Sequence, residues 1–297
     1  MESGPFMSQA VYTLGAPLGF EGIGLHSGVP ARLRLLPSDR PGYWLYSDVH
    51  PQGVLMACEH VQSTQRCTRL AGVDTVEHVL AALYGLGYGA AELWLEGLEC
   101  PILDGSAQPF AKALWETPQA PVALPFQRRL LTLKQPFTLG DPDTGSWCVQ
   151  VVPAPVLSVH YVIDFPLLQP TSVAQRYQRQ AHYEHQCVQP ERGGQGNAFL
   201  KHIAPARTFV FAHEIQALKA AGQALGGSLD NAVVLDAQGQ ALRPQRFDDE
   251  PVHHKILDFL GDLALLGADI DVQASVQIYK GGHTAHVKLV EHLQGLI

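Results

Sequence analysis

Apolar and polar positions along the chain follow two different periods, which predict both strands and helices. A period of two predicts half-buried strands, because successive side chains of a strand point to opposite faces. This alternation is found in residues 31–37, 91–97, 146–152, 156–165 and 271–279. Apolar residues that recur three or four positions apart predict amphipathic helices. They do so in residues 75–87, 107–116, 212–222 and 251–267.

A proline-containing segment divides this pattern into two similar halves. Residues 117–127 contain three prolines, which interrupt a helix and indicate a linker. In each half strands come first, then helices, and a long apolar helix is followed by a strand, which indicates an internal duplication. We therefore predict an α+β fold of two similar domains, residues 8–117 and 127–297.

The composition excludes several classes of protein. Of the 297 residues, 46% are hydrophobic and 16% are charged, so the chain is not disordered and can bury two modest cores. A formal net charge of −8 argues against general nucleic-acid binding. Five cysteines without a C-x-x-C pair indicate a reducing compartment and no disulfide framework. The chain has no long apolar run and no signal-peptide core, so we expect a cytoplasmic protein without stable membrane insertion.

The predicted helix at residues 251–267 carries three ionisable residues on one face. His254, Asp258 and Asp262 are spaced i, i+4 and i+8, so they project from the same side of a helix, about 6 Å apart along its axis. The residues between them are mostly apolar, and a buried charge needs a partner or a metal ion. A histidine and a carboxylate one turn apart can bind the same ion.

A third ligand is available in the predicted helix at residues 75–87, where His78 follows Glu77. Three protein ligands leave one position open for water, which is typical of a catalytic zinc ion rather than a structural one. Each residue alone also fits an ordinary role, because a buried histidine needs only one hydrogen bond and i, i+4 pairs stabilise many helices. Chance pairs are expected among fourteen histidines; we expect one such pair, His182 and His185, to be solvated.

Short motifs in a fixed order carry a resemblance to a known family. They are GIGLHSG (22–28), TVEHVLAALYGLG (75–87), PILDGSAQPF (101–110), ARTFVF (206–211), GGSLDNAVVLD (226–236), DDEPVHHKILDFLGDLALLG (248–267) and YKGGHTAH (279–286). Along nearly the whole chain the sequence resembles the UDP-3-O-acyl-N-acetylglucosamine deacetylases, which catalyse the committed step of lipid A biosynthesis. The resemblance implies two α+β domains whose helices are sandwiched between sheets, with the metal at the domain interface.

The resemblance also implies the metal site and its base. Carried over by position, the Zn²⁺ ligands are His78, His254 and Asp258, and the general base is Glu77. A carboxylate adjacent in sequence to a ligand is placed to accept a proton from water beside the metal.

The remaining roles follow from the same resemblance. His283 would stabilise the oxyanion or protonate the leaving amine, and Asp262 would pair with it and favour its charged form. Thr208 would donate a hydrogen bond to the oxyanion. The residues expected to contact the substrate are Lys255, Phe209 and Phe211. Lys255 would bind the anionic UDP part of the substrate, because the net negative charge of the chain does not attract that part.

One segment departs from the family. Residues 166–199 take the place of the second insert, which forms the passage for the acyl chain, but they are rich in Gln and Gly and less apolar than such a passage. Two alternatives therefore stay open: a zinc deacetylase of the same fold with another N-acetylated sugar or metabolite as substrate, and a non-enzymatic binding protein. As partners we expect a UDP-sugar with an acyl chain and no second protein chain, the protein being a monomer.

Overall fold

The computed structural model describes residues 11–122, 128–141, 143–167, 175–185 and 197–297. The first half of this described part contains nine strands and two helices. In chain order they are β1 (Tyr12–Leu14), β2 (Leu18–Ile23), β3 (Pro30–Leu36), β4 (Gly42–Ser47), β5 (Val54–Leu55), β6 (Val61–Ser63), β7 (Arg69–Leu70), α1 (Glu77–Gly85), β8 (Ala90–Glu96), α2 (Gln108–Glu116) and β9 (Gln119–Pro121).

The second half contains the remaining strands and helices. In chain order they are β10 (Arg129–Thr132), β11 (Phe137–Gly140), β12 (Cys148–Pro153), β13 (Ser158–Pro166), β14 (Arg176–Glu184), β15 (Phe209–Phe211), α3 (Ile215–Ala220), β16 (Val233–Leu235), α4 (Glu250–Leu263), β17 (Ile270–Tyr279) and α5 (His283–Gln294). Short helical turns also lie at Cys58–His60, at Phe199–Ile203, before α3 at Ala212–Glu214 and after α4 at Ala264–Leu266. Every strand and helix predicted above is present, and the α+β fold is confirmed.

Each half contributes one large mixed sheet. The first sheet has the strand order β2-β3-β8-β4-β5, and the second has the order β11-β12-β17-β13-β14, with β10 also pairing with β17. In both sheets the strand that follows the long buried helix lies in the interior and has a parallel neighbour: β4 for β8, and β13 for β17. This shared arrangement agrees with the predicted duplication, while the domain boundaries stay a prediction.

The two buried helices bring the halves together. Every residue of α1 is buried, and α4 packs against α1, against α5 and against strands β13 and β14. One apolar cluster joins these helices to the inner faces of both large sheets. The helices that carry the predicted ligands therefore lie in the core, between the sheets.

Within the predicted linker, Gln119–Pro121 forms strand β9, which pairs with β1; residues 123–127 lie outside the described part. One expectation about local structure is wrong. His185 is not solvated: it is 8% exposed and its ring stacks on Tyr84 at 5.2 Å between centroids. Only His182, on the outer side of β14, is exposed as expected.

Two further observations concern membrane-spanning helices and the cysteines. No helix in the described residues combines the length and apolar character that crossing a membrane requires. Cys58, Cys67, Cys100 and Cys148 are free and buried, and Cys187 lies outside the described part.

Candidate active site

Three side chains from two helices meet in the core and form what we call the ligand cluster: His78 on α1, and His254 and Asp258 one turn apart on α4. All three are buried. Asp258 Oδ1 lies 3.3 Å from His254 Nε2 and 3.8 Å from His78 Nε2. Gly261 allows α1 and α4 to approach this closely, because a Cβ atom there would lie 2.0 Å from the backbone oxygen of Glu77.

The protonation states in the ligand cluster suit a cation. Burial lowers the pKa of His78 to about 3 and also lowers that of His254, so both imidazoles are neutral. His254 donates its Nδ1–H to the carbonyl oxygen of Ala206 at 3.0 Å, which leaves a lone pair on Nε2. Burial acts to raise the pKa of Asp258, but the positive charges near it, Lys255 among them, hold it well below its usual range, so Asp258 is ionised.

One atom shows that this cluster is incomplete as protein alone. Asp258 Oδ1 is buried and has no hydrogen-bond partner among the described residues, although it faces two imidazole nitrogens. A buried charged oxygen without a donor is costly. Two ligand atoms about 2.1 Å from one tetrahedral ion are about 3.4 Å apart, and the observed distances to Oδ1 are 3.3 and 3.8 Å. The three side chains therefore fit a metal ion.

Glu77, the first residue of α1, lies beside the ligand cluster. Its Oε2 accepts a hydrogen bond from the backbone N–H of Thr68 at 3.2 Å, and its Oε1 lies 3.8 Å from His283 Nε2. Burial raises the pKa of Glu77 to about 8. A raised pKa makes the carboxylate a stronger proton acceptor than an exposed glutamate, which suits a general base.

A second group, which we call the Asp262 cluster, lies one turn further along α4 and consists of Asp262, His283 and His286. Asp262 Oδ2 accepts the Nδ1–H groups of both histidines, each at 2.8 Å. Burial acts to lower the pKa of His283, but Asp262 and Asp258 raise it to about 9, so the ring is charged near neutral pH. The structure thus brings together the two residues that the sequence predicts as a pair.

The other predicted site residues line a cavity of about 380 Å³ that opens onto both clusters. They are Thr208, Phe209, Phe211 and Lys255. Lys255 also donates to Asp258 Oδ2 at 2.6 Å, so it contacts a predicted ligand as well as the cavity. Thr208 is fixed by its backbone N–H, which donates to the carbonyl oxygen of Gly105 at 2.8 Å.

A second cavity, of about 290 Å³, adjoins the first and has mainly apolar walls. Phe209 lines both cavities, and Ile215, Ala232 and Val234 are among the apolar residues that line the second. The sequence assigned an acyl passage to residues 166–199, but no described residue of that segment lines this cavity; residues 168–174 and 186–196 lie outside the described part. The apolar space next to the site is formed mainly by residues 208–242.

Four residues of the site have no role in the predictions from sequence. They are His26, at the junction of the two cavities, whose ring nitrogens have no hydrogen-bond partner among the described residues, Thr68 and His286, which donate to Asp262, and Tyr161, whose hydroxyl lies 2.8 Å from His286 Nε2. His286 lies three positions after His283, a ligand-like spacing that is also expected by chance among fourteen histidines. Thr68 and Tyr161 carry no comparable signal, since a threonine in a loop and a tyrosine in a strand are common.

Comparisons with known proteins agree with this geometry. Residues 11–295 match the family model described as UDP-3-O-acyl N-acetylglycosamine deacetylase. A UDP-3-O-acyl-N-acetylglucosamine deacetylase of Trichormus variabilis is 36% identical over 292 residues, which cover 96% of this chain and 98% of the relative. The protein of the same name from Anaeromyxobacter dehalogenans is 38% identical over 280 residues, 91% of this chain and 82% of the relative. The chain therefore belongs to the UDP-3-O-acyl N-acetylglycosamine deacetylase family.

Proposed function

We propose that this protein is a zinc-dependent amide hydrolase that removes acetate from UDP-3-O-acyl-N-acetylglucosamine, the committed step of lipid A biosynthesis. The observation that carries the proposal is the buried ligand cluster, with one carboxylate oxygen unpartnered, directly beside a glutamate whose pKa is raised. A non-enzymatic binding protein has no use for that combination. The names of the relatives supply the substrate class.

Zinc fits the ligand cluster because two imidazoles, one carboxylate and one open position are a typical catalytic zinc set. When bound, zinc would act as a Lewis acid that lowers the pKa of water and polarises the acetyl carbonyl. His254 is already oriented for this task, since its hydrogen bond to the Ala206 carbonyl fixes both the tautomer and the ring plane.

Glu77 is the proposed general base. It accepts a proton from the attacking water, whose oxygen forms the new bond to the acetyl carbon. The Thr68 N–H holds one carboxylate oxygen, so the other is the one free to receive the proton. Burial keeps solvent from competing for that oxygen.

His283 and Thr208 are the proposed partners of the negative charge that develops on the carbonyl oxygen. As an imidazolium, His283 presents its Nε2–H to the site, 3.8 Å from both Glu77 Oε1 and Asp258 Oδ2. It stabilises the oxyanion and supplies a proton to the nitrogen as the C–N bond breaks, so that acetate and the free amine leave. Asp262 maintains the charge of His283 through its 2.8 Å hydrogen bond.

The second cavity is the proposed site of the acyl chain. It adjoins the first cavity through Phe209 and offers apolar walls of the kind that bind a hydrocarbon chain. His26 at the junction, whose ring nitrogens have no partner within the described part of the chain, is placed for the polar atoms at the head of that chain. This cavity favours an acylated substrate over the alternative of a small N-acetylated metabolite.

Local cations are the proposed partners of the diphosphate. Arg66, Lys255 and Lys280 line the first cavity, which offsets the net negative charge of the chain near the substrate. We further propose that the protein acts as a monomer in the cytoplasm, without nucleic acid and without stable insertion into a membrane.

Acetate release from UDP-3-O-(3-hydroxyacyl)-N-acetylglucosamine tests the proposed reaction. We expect about one zinc per chain and turnover that chelation removes and zinc restores. Glu77→Gln should keep the zinc and lower kcat by about 10²- to 10⁴-fold, whereas Glu116→Gln, at an exposed position of α2, should change neither. Zinc binding without turnover of any acylated substrate would contradict the assignment.

The acyl site is tested by narrowing the second cavity. Ala232→Phe places a ring in its wall, so activity on substrates with a long acyl chain should fall while activity on a short-chain analogue is kept. The short-chain substrate is the control for folding and catalysis in the same variant. An equal loss on both substrates would argue against an acyl chain in this cavity.

A further inference from the structure

Thr68 connects the two chemical halves of the site. It lies between strands β6 and β7 and is 0% exposed. Its backbone N–H donates to Glu77 Oε2 at 3.2 Å, and its side-chain hydroxyl donates to Asp262 Oδ1. The same hydroxyl oxygen is 3.2 Å from His283 Nδ1. One residue therefore contacts the proposed base, the partner of the proposed acid, and the acid itself.

The direction of the hydroxyl hydrogen bond follows from the charge of its acceptor. Burial acts to raise the pKa of Asp262, but His283 lowers it to about 2, so the carboxylate is ionised and only accepts. Thr68 must then be the donor. The hydroxyl of a buried threonine with one such acceptor has its rotation fixed.

The two oxygens of Asp262 have unequal support. Oδ2 receives both imidazole Nδ1–H groups, while Thr68 is the donor that the structure shows for Oδ1 within its described part. Without the hydroxyl, Oδ1 would be a buried charged oxygen lacking a donor, and the carboxylate plane could rotate. Because Asp262 holds His283 at 2.8 Å, rotation of that plane would also move the His283 ring.

We propose that Thr68 is a positioning residue. It fixes the carboxylate plane of Asp262 and, through Asp262, the orientation of the His283 ring relative to Glu77. The inference rests on the proposed deacetylase function. Thr68 is not among the described residues that line the first cavity, and its hydrogen bonds there go to Glu77 and Asp262, so it acts through other residues. Its effect belongs to the chemical step and not to metal or substrate binding.

Three variants test the proposal. Thr68→Val keeps the shape and the backbone N–H but removes the hydroxyl, so we expect kcat to fall about 10- to 100-fold with KM and zinc content unchanged. Thr68→Ser restores the donor and should recover most of kcat. Thr117→Val is the matched control, because it removes a hydroxyl hydrogen bond, to Ala113, at another largely buried threonine outside the site. It should leave kcat unchanged.

A double-mutant cycle shows whether Thr68 acts through Asp262. In an Asp262→Ala background, which has no carboxylate to orient, Thr68→Val should cause little further loss of kcat. A full additional loss there, or a kcat for Thr68→Val equal to that of the wild type, would overturn the proposal. The proposal would also be overturned if neither Thr68→Val nor Thr68→Ala folded while Thr68→Ser was fully active. The hydroxyl would then serve stability alone.

Wild-type activity separates this test from that of the function. If the wild-type zinc protein releases no acetate from acylated substrates, the proposed function fails, and the role of Thr68 in that reaction fails with it. If the wild type is active and Thr68→Val matches it, only the role of Thr68 is lost.

Discussion

The ligand cluster and the Asp262 cluster contain the same residue types and differ in how their hydrogen bonds are completed. Each combines two histidines with one aspartate, each is buried, and their aspartates are one turn apart on α4. Asp258 Oδ1 has no hydrogen-bond partner in the described residues, and the imidazoles near it are neutral. Asp262 accepts from two histidines and a threonine.

The difference shows that residue type and spacing alone do not define a metal site. Both triads have ligand atoms close enough for one ion. In the Asp262 cluster the negative charge is already met by the protonated His283, so a cation would have to displace a proton and three hydrogen bonds. In the ligand cluster two lone pairs and a charged oxygen converge without a proton between them, which favours a cation there.

The largest expected effect comes from removing a residue of the ligand cluster. His254→Ala takes away one imidazole, so we expect the loss of bound zinc and of detectable acetate release. His182→Ala, an exposed histidine on β14, is the matched control and should keep both. Elemental analysis measures the zinc content, and an assay of acetate release measures the activity. If His254→Ala retained all of its zinc, the distinction between the two clusters would be lost.

A smaller effect is expected from the corresponding change in the other cluster. Asp262→Asn keeps the size of the side chain but removes the charge that raises the pKa of His283. We expect kcat to fall about 10- to 100-fold while zinc content stays at the wild-type level. If zinc is lost in this variant as in His254→Ala, the two clusters are one metal site and the comparison is wrong.

The smallest effect on activity is expected from substituting Glu250, which supports the ligand cluster from outside the site. Glu250 is buried and accepts hydrogen bonds from the backbone N–H and the guanidinium of Arg207, next to Ala206, whose carbonyl orients His254. Glu250→Gln leaves the buried Arg207 without its counter-charge, so the free energy of unfolding should fall by about 3 kcal/mol. Denaturant unfolding at pH 7 measures this.

The same pair predicts a pH dependence. Burial acts to raise the pKa of Glu250, but hydrogen bonds from Arg207 and the Arg246 N–H hold it below its ordinary value of 4.5. Because the folded pKa lies below the unfolded one, the stabilisation is fully present above pH 4.5 and is lost as the pH falls through the folded pKa. The stability difference between wild type and Glu250→Gln should therefore shrink below that pH. A difference that grows on acidification would contradict the sign.

The fold and the residues of the ligand cluster could be predicted from sequence for identifiable reasons. Alternation located β3, β8 and β17, because each has one face in the core, and the spacing of apolar residues located α1 and α4, which are buried almost throughout. The spacing of His254 and Asp258 placed them on one helical face, and the resemblance supplied His78 from the other half of the chain. These residues meet because α1 packs on α4. Periodicity predicts two apolar helices but does not predict that they pack against each other.

Other parts of the site could not be predicted because they depend on tertiary contacts. Thr68 acts from a loop, 194 residues away in sequence from Asp262, so no local pattern marks it. The apolar cavity is built by residues around Phe209 and Val234, whose alternation resembles that of any core strand. His185 was expected to be solvated because its neighbours in sequence are polar, but its ring lies against Tyr84 from another part of the chain.

The most direct test of the account is to locate the metal in crystals of the zinc-loaded protein by anomalous diffraction at the zinc edge. We predict one strong peak about 2.0–2.2 Å from His78 Nε2, His254 Nε2 and an oxygen of Asp258, and no peak at the Asp262 cluster. A peak among Asp262, His283 and His286, or the absence of any peak in protein that is catalytically active, would contradict the claim that only the ligand cluster is built for a cation.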